Sequence, residues 1–163
     1  MNWQAFQEAA PQLARLAAER FARHGIAFLG TLRQDGYPRI SVVEPLLTPE
    51  ELLLGLMWRS TKALDLFHDA RCTLHSVITS GEGTEGECKL YGRATEAADP
   101  TLQADHQRRF RAHWGAAAPQ AFHVVALDIE RAAFVTYDLT NGQMLVTHWD
   151  PTHGLRETRR PYP

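Results

Sequence analysis

The sequence predicts a mainly β fold of the α+β class: antiparallel strands wound into a closed or partly closed barrel, with helices at its periphery. Three observations carry this. Asp35-Gly36 and Asn141-Gly142 are hairpin dipeptides, because both central positions of a type I′ turn need positive φ. About eight short β-compatible segments follow one another, joined mostly by short turns. The strand–helix alternation of a parallel sheet is missing, as is any G-x-G-x-x-G loop, so a Rossmann-type domain is not expected.

The elements read in order as follows. Phe6, Ala10, Leu13, Ala17 and Phe21 form an apolar stripe, so residues 1–24 are an N-terminal helical segment with Asn2 as a possible cap. Pro11 predicts a break within it, and His24-Gly25 a stop. Ile26–Arg33 and Tyr37–Glu44 read as the strands of the first hairpin, and Pro45 and Pro49 bracket a loop. Glu51–Trp58 reads as a strand. Ser60 then opens a short helix, Thr61–His68, expected to turn Leu64 and Phe67 inward. Arg71–Thr79 and Glu87–Glu96 read as strands flanking the loop Ser80–Gly86, where Glu82, Glu85 and Glu87 flank glycines and are expected to make a mobile acidic loop. Asp99-Pro100 opens a helix to about Trp114, with Phe110 and Trp114 inward. A loop is expected over 115–120. Phe122–Glu130, Ala132–Leu139 and Gln143–Trp149 read as three more strands, and residues 150–163 as an irregular tail.

Composition narrows the function. At 163 residues the chain reads as a single domain, 1–163, long enough to bury a core without disulfide or metal. Lys plus Arg is 17 and Asp plus Glu 19, a formal charge of −2, which argues against a protein that coats nucleic acid. No apolar run approaches the ~20 residues of a membrane helix, and residues 1–8 do not resemble a secretory signal. Cys72 and Cys88 lack C-x-x-C spacing and read as reduced thiols of a cytoplasmic protein. The eight histidines show no metal-ligand spacing, so no metal is expected. No catalytic acid, base or nucleophile can be named from spacing.

The chemistry concentrates in Phe28–Val77. Arg39 and Ser41 lie two apart on a strand and share a face. With a two-residue turn, Ser41 would lie opposite Gly30, where a ligand finds room. Arg59, Ser60, Thr61 and Lys62 stand where a strand hands over to a helix. Free N–H groups, two hydroxyls and cations there suit a phosphate, and Arg39 could add a bidentate fork. The alternative is that Ser60 merely caps the helix and the cations are solvated.

The same residues resemble the flavin-binding split-barrel family typified by pyridoxamine 5′-phosphate oxidase. Leu29–Arg39 is similar to the family's first hairpin, Arg59-Ser60-Thr61-Lys62 to its phosphate-binding turn, and Leu90-Tyr91-Gly92-Arg93-Ala94 to a later barrel strand. The resemblance implies a split-barrel homodimer with FMN in the subunit interface. It implies that Arg39, Ser60, Thr61 and Lys62, with Arg59 in the turn, hold the FMN phosphate. Ser41 and the Met57–Trp58 backbone would then lie near the ribityl chain or ring. Trp149 and Arg156 could cover the flavin from the partner subunit, or Trp149 could simply end a core strand. The sequence departs from the oxidases themselves. Glu44 stands where they carry lysine, Glu87 roughly where a ring-facing glutamine lies, and their C-terminal substrate signature is missing. Oxidation of pyridoxamine phosphate is therefore not expected. The expected function is a flavin-dependent oxidoreductase acting on an unidentified small molecule. The alternative is a carrier or sensor without turnover, binding flavin, deazaflavin or haem.

Overall fold

Asn2 begins the first helix as a working cap: its side-chain oxygen accepts the Ala5 N–H at 3.0 Å. Helix α1 (Trp3–Ala9) ends at Ala10, and α2 (Pro11–His24) restarts at Pro11, whose missing N–H costs nothing in a first turn. The stripe of Phe6, Leu13, Ala17 and Phe21 is buried on the sheet, with Phe6 edge-on to Trp149 at 5.2 Å.

The computed structural model describes residues 1–115 and 121–162, so the expected loop over 115–120 lies, past Gly115, outside the described residues. The described strands are β1 (Ala27–Leu32), β2 (Pro38–Val43), β3 (Pro45–Leu47), β4 (Leu52–Met57), β5 (Arg71–Ser76), β6 (Glu87–Glu96), β7 (Phe122–Asp138), β8 (Gln143–Asp150) and β9 (Gly154–Pro161). Helices α3 (Thr61–His68) and α4 (Pro100–Trp114) complete the set. All ladders are antiparallel, in the order β2-β1-β5-β6-β7-β4-β3, with β8 on β7 and β9 on β8. This is the mainly β class expected. Among the described residues no ladder joins β3 back to β2, so the sheet is not closed.

The fork in the sheet lies on β7. Its first half pairs with β4 and its second half with β8, while β6 runs along both. The two strands expected here are thus one long strand. The break expected at Arg131 is instead a bulge in the β6 ladder: Tyr91 pairs with Arg131 and Gly92 with Ile129. Gly92 is required there, since a Cβ would stand 2.0 Å from the Asp128 carbonyl oxygen. Met1 seals the inner side of the bulge, its carbonyl accepting the Ile129 N–H at 2.7 Å.

Several other expectations need correction. The first hairpin turns through three residues, not two. Gly36 N–H donates to the Arg33 carbonyl, Arg33 N–H to the Tyr37 carbonyl, and only Gly36 takes positive φ (84°). Register therefore slips by one, and Ser41 faces Leu29 while Ile40 faces Gly30. The bracketed loop after Glu44 contains β3. The tail expected to be irregular forms β9, paired with β8 from Asp150↔Gly154 to Gln143↔Pro161. Its residues are almost all exposed, so no apolar alternation announced it. In α3, Leu64 and Phe67 are half exposed and Ala63, Asp65 and Leu66 are buried. In α4, His106 is the buried residue and Trp114 is half exposed. The acidic loop is pinned: Glu85 accepts the Thr79 and Ser80 N–H groups and pairs with Arg20 at 3.1 Å.

Candidate functional site

Helix α3 packs across the rim of β1 and β2 through one buried carboxylate. Asp65 accepts the Thr31 hydroxyl at 2.8 Å and the Arg39 Nε–H at 2.7 Å. A guanidinium has five N–H donors in a fixed fork, so this contact orients Arg39 and leaves its terminal nitrogens unspent. Arg39 remains partly exposed and lines an open groove with Arg33, Gln34, Asp35 and Asp65. Ser41 lies two residues on, on the same face of β2 and partly covered. Lys62, in the first turn of α3, donates from Nζ to the Val42 carbonyl at 3.1 Å. Its ammonium is thereby held over β2 with further donors to offer.

The start of α3 is unsatisfied. Ser60 is the N-cap residue, yet it makes no side-chain capping bond, and its hydroxyl is buried without a partner. The first-turn N–H groups of a helix have no intrahelical acceptors. Beside them are an orphaned hydroxyl, an exposed Thr61 and Lys62, and no carboxylate lies in the first turn. An anion would satisfy the whole set. The turn that delivers this arrangement is strained: Arg59 takes φ 51°, a region that favours glycine.

His123 supports that turn, and no sequence signal identified it. Its Nε2 accepts the Arg59 N–H at 3.3 Å, and its Nδ1 lies 3.3 Å from Glu96. Trp58 stacks on the ring at 4.4 Å and Phe67 meets it edge-on at 4.8 Å. Met57 and Trp58 stand exposed beside this stack. Asp65 and Thr31 were also missed, because a buried carboxylate inside an apolar helix face is visible only once its partners are known.

The structure places Arg39 and Ser41 on β2, Met57 at the end of β4, Trp58, Arg59 and Ser60 in the turn before α3, and Thr61 and Lys62 in its first turn, with the Arg39–Asp65 and Lys62–Val42 contacts tying α3 to β2. Trp149, expected either to cover the flavin from a partner subunit or to end a core strand, takes the core position. That side chain is 3% exposed in the core against Phe6, on a strand that pairs with β7 and β9. Burial pushes the Cys72 and Cys88 thiols up to about 12, so neither is a nucleophile.

Comparison with known proteins adds three findings. A family model described as pyridoxamine 5′-phosphate oxidase matches residues 13–136. No curated protein matches the chain. Solved structures share its fold at low identity. A haem-binding protein from Mycobacterium smegmatis is 17% identical, with a TM-score of 0.61 over 93% of this chain and 89% of its own. PhzG from Burkholderia lata 383, in complex with tetrahydrophenazine-1-carboxylic acid, is 13% identical, with a TM-score of 0.60 over 93% and 91%. A Clostridium acetobutylicum protein related to general stress protein 26 of B. subtilis, of the pyridoxinephosphate oxidase family, is 12% identical, with a TM-score of 0.59 over 97% and 95%. No described helix is long and apolar enough to cross a membrane.

Proposed function

The chain belongs to the pyridoxamine 5′-phosphate oxidase family, and from that premise we propose that it holds FMN by its phosphate at the β2–α3 junction and acts as a two-electron oxidoreductase on a small molecule. The buried, unpartnered Ser60 hydroxyl at an uncapped helix start carries this reading. Arg39 supplies a fork already oriented by Asp65. Lys62 supplies a point charge steadied by the Val42 carbonyl. Ser60, Thr61 and the first-turn amides supply neutral donors. Ser41 lies along β2 and Met57–Trp58 along the approach to the turn, where the rest of the cofactor would run. Bound flavin supplies the electron-pair chemistry, while these residues bind and orient it.

A homodimer accompanies the reading. Phe28 and Val42 are paired on one sheet face and Ile40 lies beside them, with Ile40 76% and Val42 50% exposed. Apolar patches of this kind mark interfaces, and a second copy would cover this one. The likeness to a haem-binding protein favours a second reading, in which the same fold carries haem, or a flavin or deazaflavin without turnover.

The test is an absorption spectrum of the protein as purified, with mass spectrometry of whatever heat releases. A yellow protein releasing FMN is expected. A Soret band would transfer the assignment to haem, a deazaflavin mass would change the cofactor, and a colourless protein that takes up no added FMN would overturn it.

A further inference from the structure

The turn that leads into α3 depends on one acceptor from a distant strand. Met57 to Ser60 form a tight turn, closed by the Ser60 N–H on the Met57 carbonyl at 3.0 Å. Arg59 is its third residue and takes φ 51°, at a position where such turns ordinarily use glycine. The closing bond uses the Ser60 amide, so the Arg59 amide is left over. It donates to His123 Nε2 at 3.3 Å and has no other partner among the described residues.

That bond fixes the proton on the imidazole. A backbone N–H can only donate, so Nε2 presents its lone pair. The neutral ring then carries its hydrogen on Nδ1, which lies 3.3 Å from Glu96 and donates to it. His123 is 7% exposed, and Trp58 on its face and Phe67 at its edge hold the ring plane.

A second proton would keep one contact and reverse the other. Nδ1–H still faces Glu96, and that carboxylate and the Trp58 ring both favour the cation. Nε2–H would face the Arg59 N–H, donor against donor, so the turn has to open. From the other elements packed on the ring, β4 sets Leu56 beside it in the ladder and α3 sets Phe67, neither charged. Among the described residues no other charged group lies within hydrogen-bond or ion-pair distance of the imidazole. The attraction of an imidazolium for a nearby anion is offset by Glu96 at its other nitrogen.

We propose that His123 is the positioning residue of the anion-binding turn. Neutral, with its hydrogen on Nδ1, it holds Arg59 and thereby sets Ser60 and the first amides of α3 for a phosphate; a proton at Nε2 releases them. Proton and phosphate therefore oppose each other, and affinity falls with pH across the range where histidine changes charge. The identity of the phosphate, FMN, rests on the cofactor reading above; the dependence of the turn on His123 does not.

The experiment titrates FMN into the full chain, freed of bound flavin, at pH 8 and pH 5.5, with His123→Gln and His123→Phe beside wild type. The Gln amide oxygen can accept the Arg59 N–H and does not titrate; the Phe ring keeps the packing and accepts nothing. At pH 8 the Gln variant should bind within about threefold of wild type and the Phe variant about tenfold more weakly, as for one neutral hydrogen bond. Between pH 8 and pH 5.5 wild type should lose at least about threefold more affinity than His123→Gln. The second ionisation of the phosphate, near about pH 6, acts on both chains alike. Equal losses in wild type and His123→Gln, or wild-type affinity in His123→Phe, would overturn the proposal. A chain that takes up no FMN at either pH sinks the cofactor reading instead, and hydrogen exchange at the Arg59 amide, followed by NMR without ligand at pH 7, then decides the role of His123. Exchange at least about tenfold faster in His123→Phe than in wild type and His123→Gln upholds it, and equal exchange in all three removes it.

Discussion

Two arginine–carboxylate pairs in this molecule look alike in sequence and do opposite work. Arg20 and Glu85 join α2 to the loop before β6, 5% and 8% exposed. Glu85 is saturated by the Thr79 and Ser80 amides, and Arg20 also donates to the Val77 carbonyl. The Arg20 Nε is left without a partner but is buried, so no ligand reaches it. Arg39 and Asp65 join β2 to α3, but Arg39 uses only its Nε–H and is 30% exposed. Beside it stand an unpartnered hydroxyl and an uncapped helix start. Pairing alone does not separate a staple from a site; solvent access to the donors left over does.

The contrast can be broken most sharply at the cations. Charge-assisted hydrogen bonds contribute about 1.5–3 kcal/mol each. Replacing Arg39 and Lys62 together with Ala should weaken FMN binding by more than about a hundredfold. The melting temperature should also fall, because Arg39→Ala leaves the buried Asp65 carboxylate without its cation, whereas Lys62→Ala alone should hardly move it. FMN affinity unchanged by fluorescence titration would show that these cations belong to the surface.

Glu85→Gln should lower the melting temperature while leaving FMN affinity of the folded protein alone. The effect depends on pH in a defined direction. Bonds from the Ser80 and Thr79 amides, then the Arg20 contact, hold the Glu85 carboxyl down at about 2, below its ordinary 4.5. A depressed carboxyl stabilises the fold fully above 4.5, and that contribution fades as pH falls toward 2. Wild type and variant should therefore differ most at neutral pH and converge in acid. Parallel melting curves from pH 7 to pH 3 would remove Glu85 from the account.

The smallest effect sharpens the comparison furthest. Ser60→Ala removes a buried hydroxyl that has no partner, so stability should stay level or rise by up to about 1 kcal/mol. FMN affinity should fall by about tenfold, the equivalent of one neutral hydrogen bond. A loss of stability together with unchanged affinity would make Ser60 an ordinary cap.

Much of the fold was legible because local chemistry and tertiary structure agree. The Asn2 cap, the Pro11 restart, the alternation of β6 and the Asp99-Pro100 helix start all stand. What was missed depends on partners. The strand β9 lies exposed on a ladder and needs no apolar face, so only β8 reveals it. The single strand β7 hides a bulge that only the β6 register exposes. In the candidate site, Ser60 and Lys62 are proposed from residue type at a strand-to-helix handover and Arg39 from its place on the hairpin strand. Asp65, Thr31 and His123 could not be, because Asp65 acts by touching Arg39, Thr31 by touching Asp65 and His123 by touching Arg59, each from a distant part of the chain.

Strand β9 has one more consequence. An unpaired outer strand is where folded proteins recruit copies of themselves into growing fibrils. Here that strand carries Arg156, Glu157, Arg159 and Arg160, closes at Pro161, and covers the apolar Met144, Leu145 and Val146 of β8 from the side. A neighbour adding to this edge would have to set its own arginines against three others. The least apolar strand of the sheet is thus its protection against aggregation, which explains why so exposed a segment keeps a regular ladder.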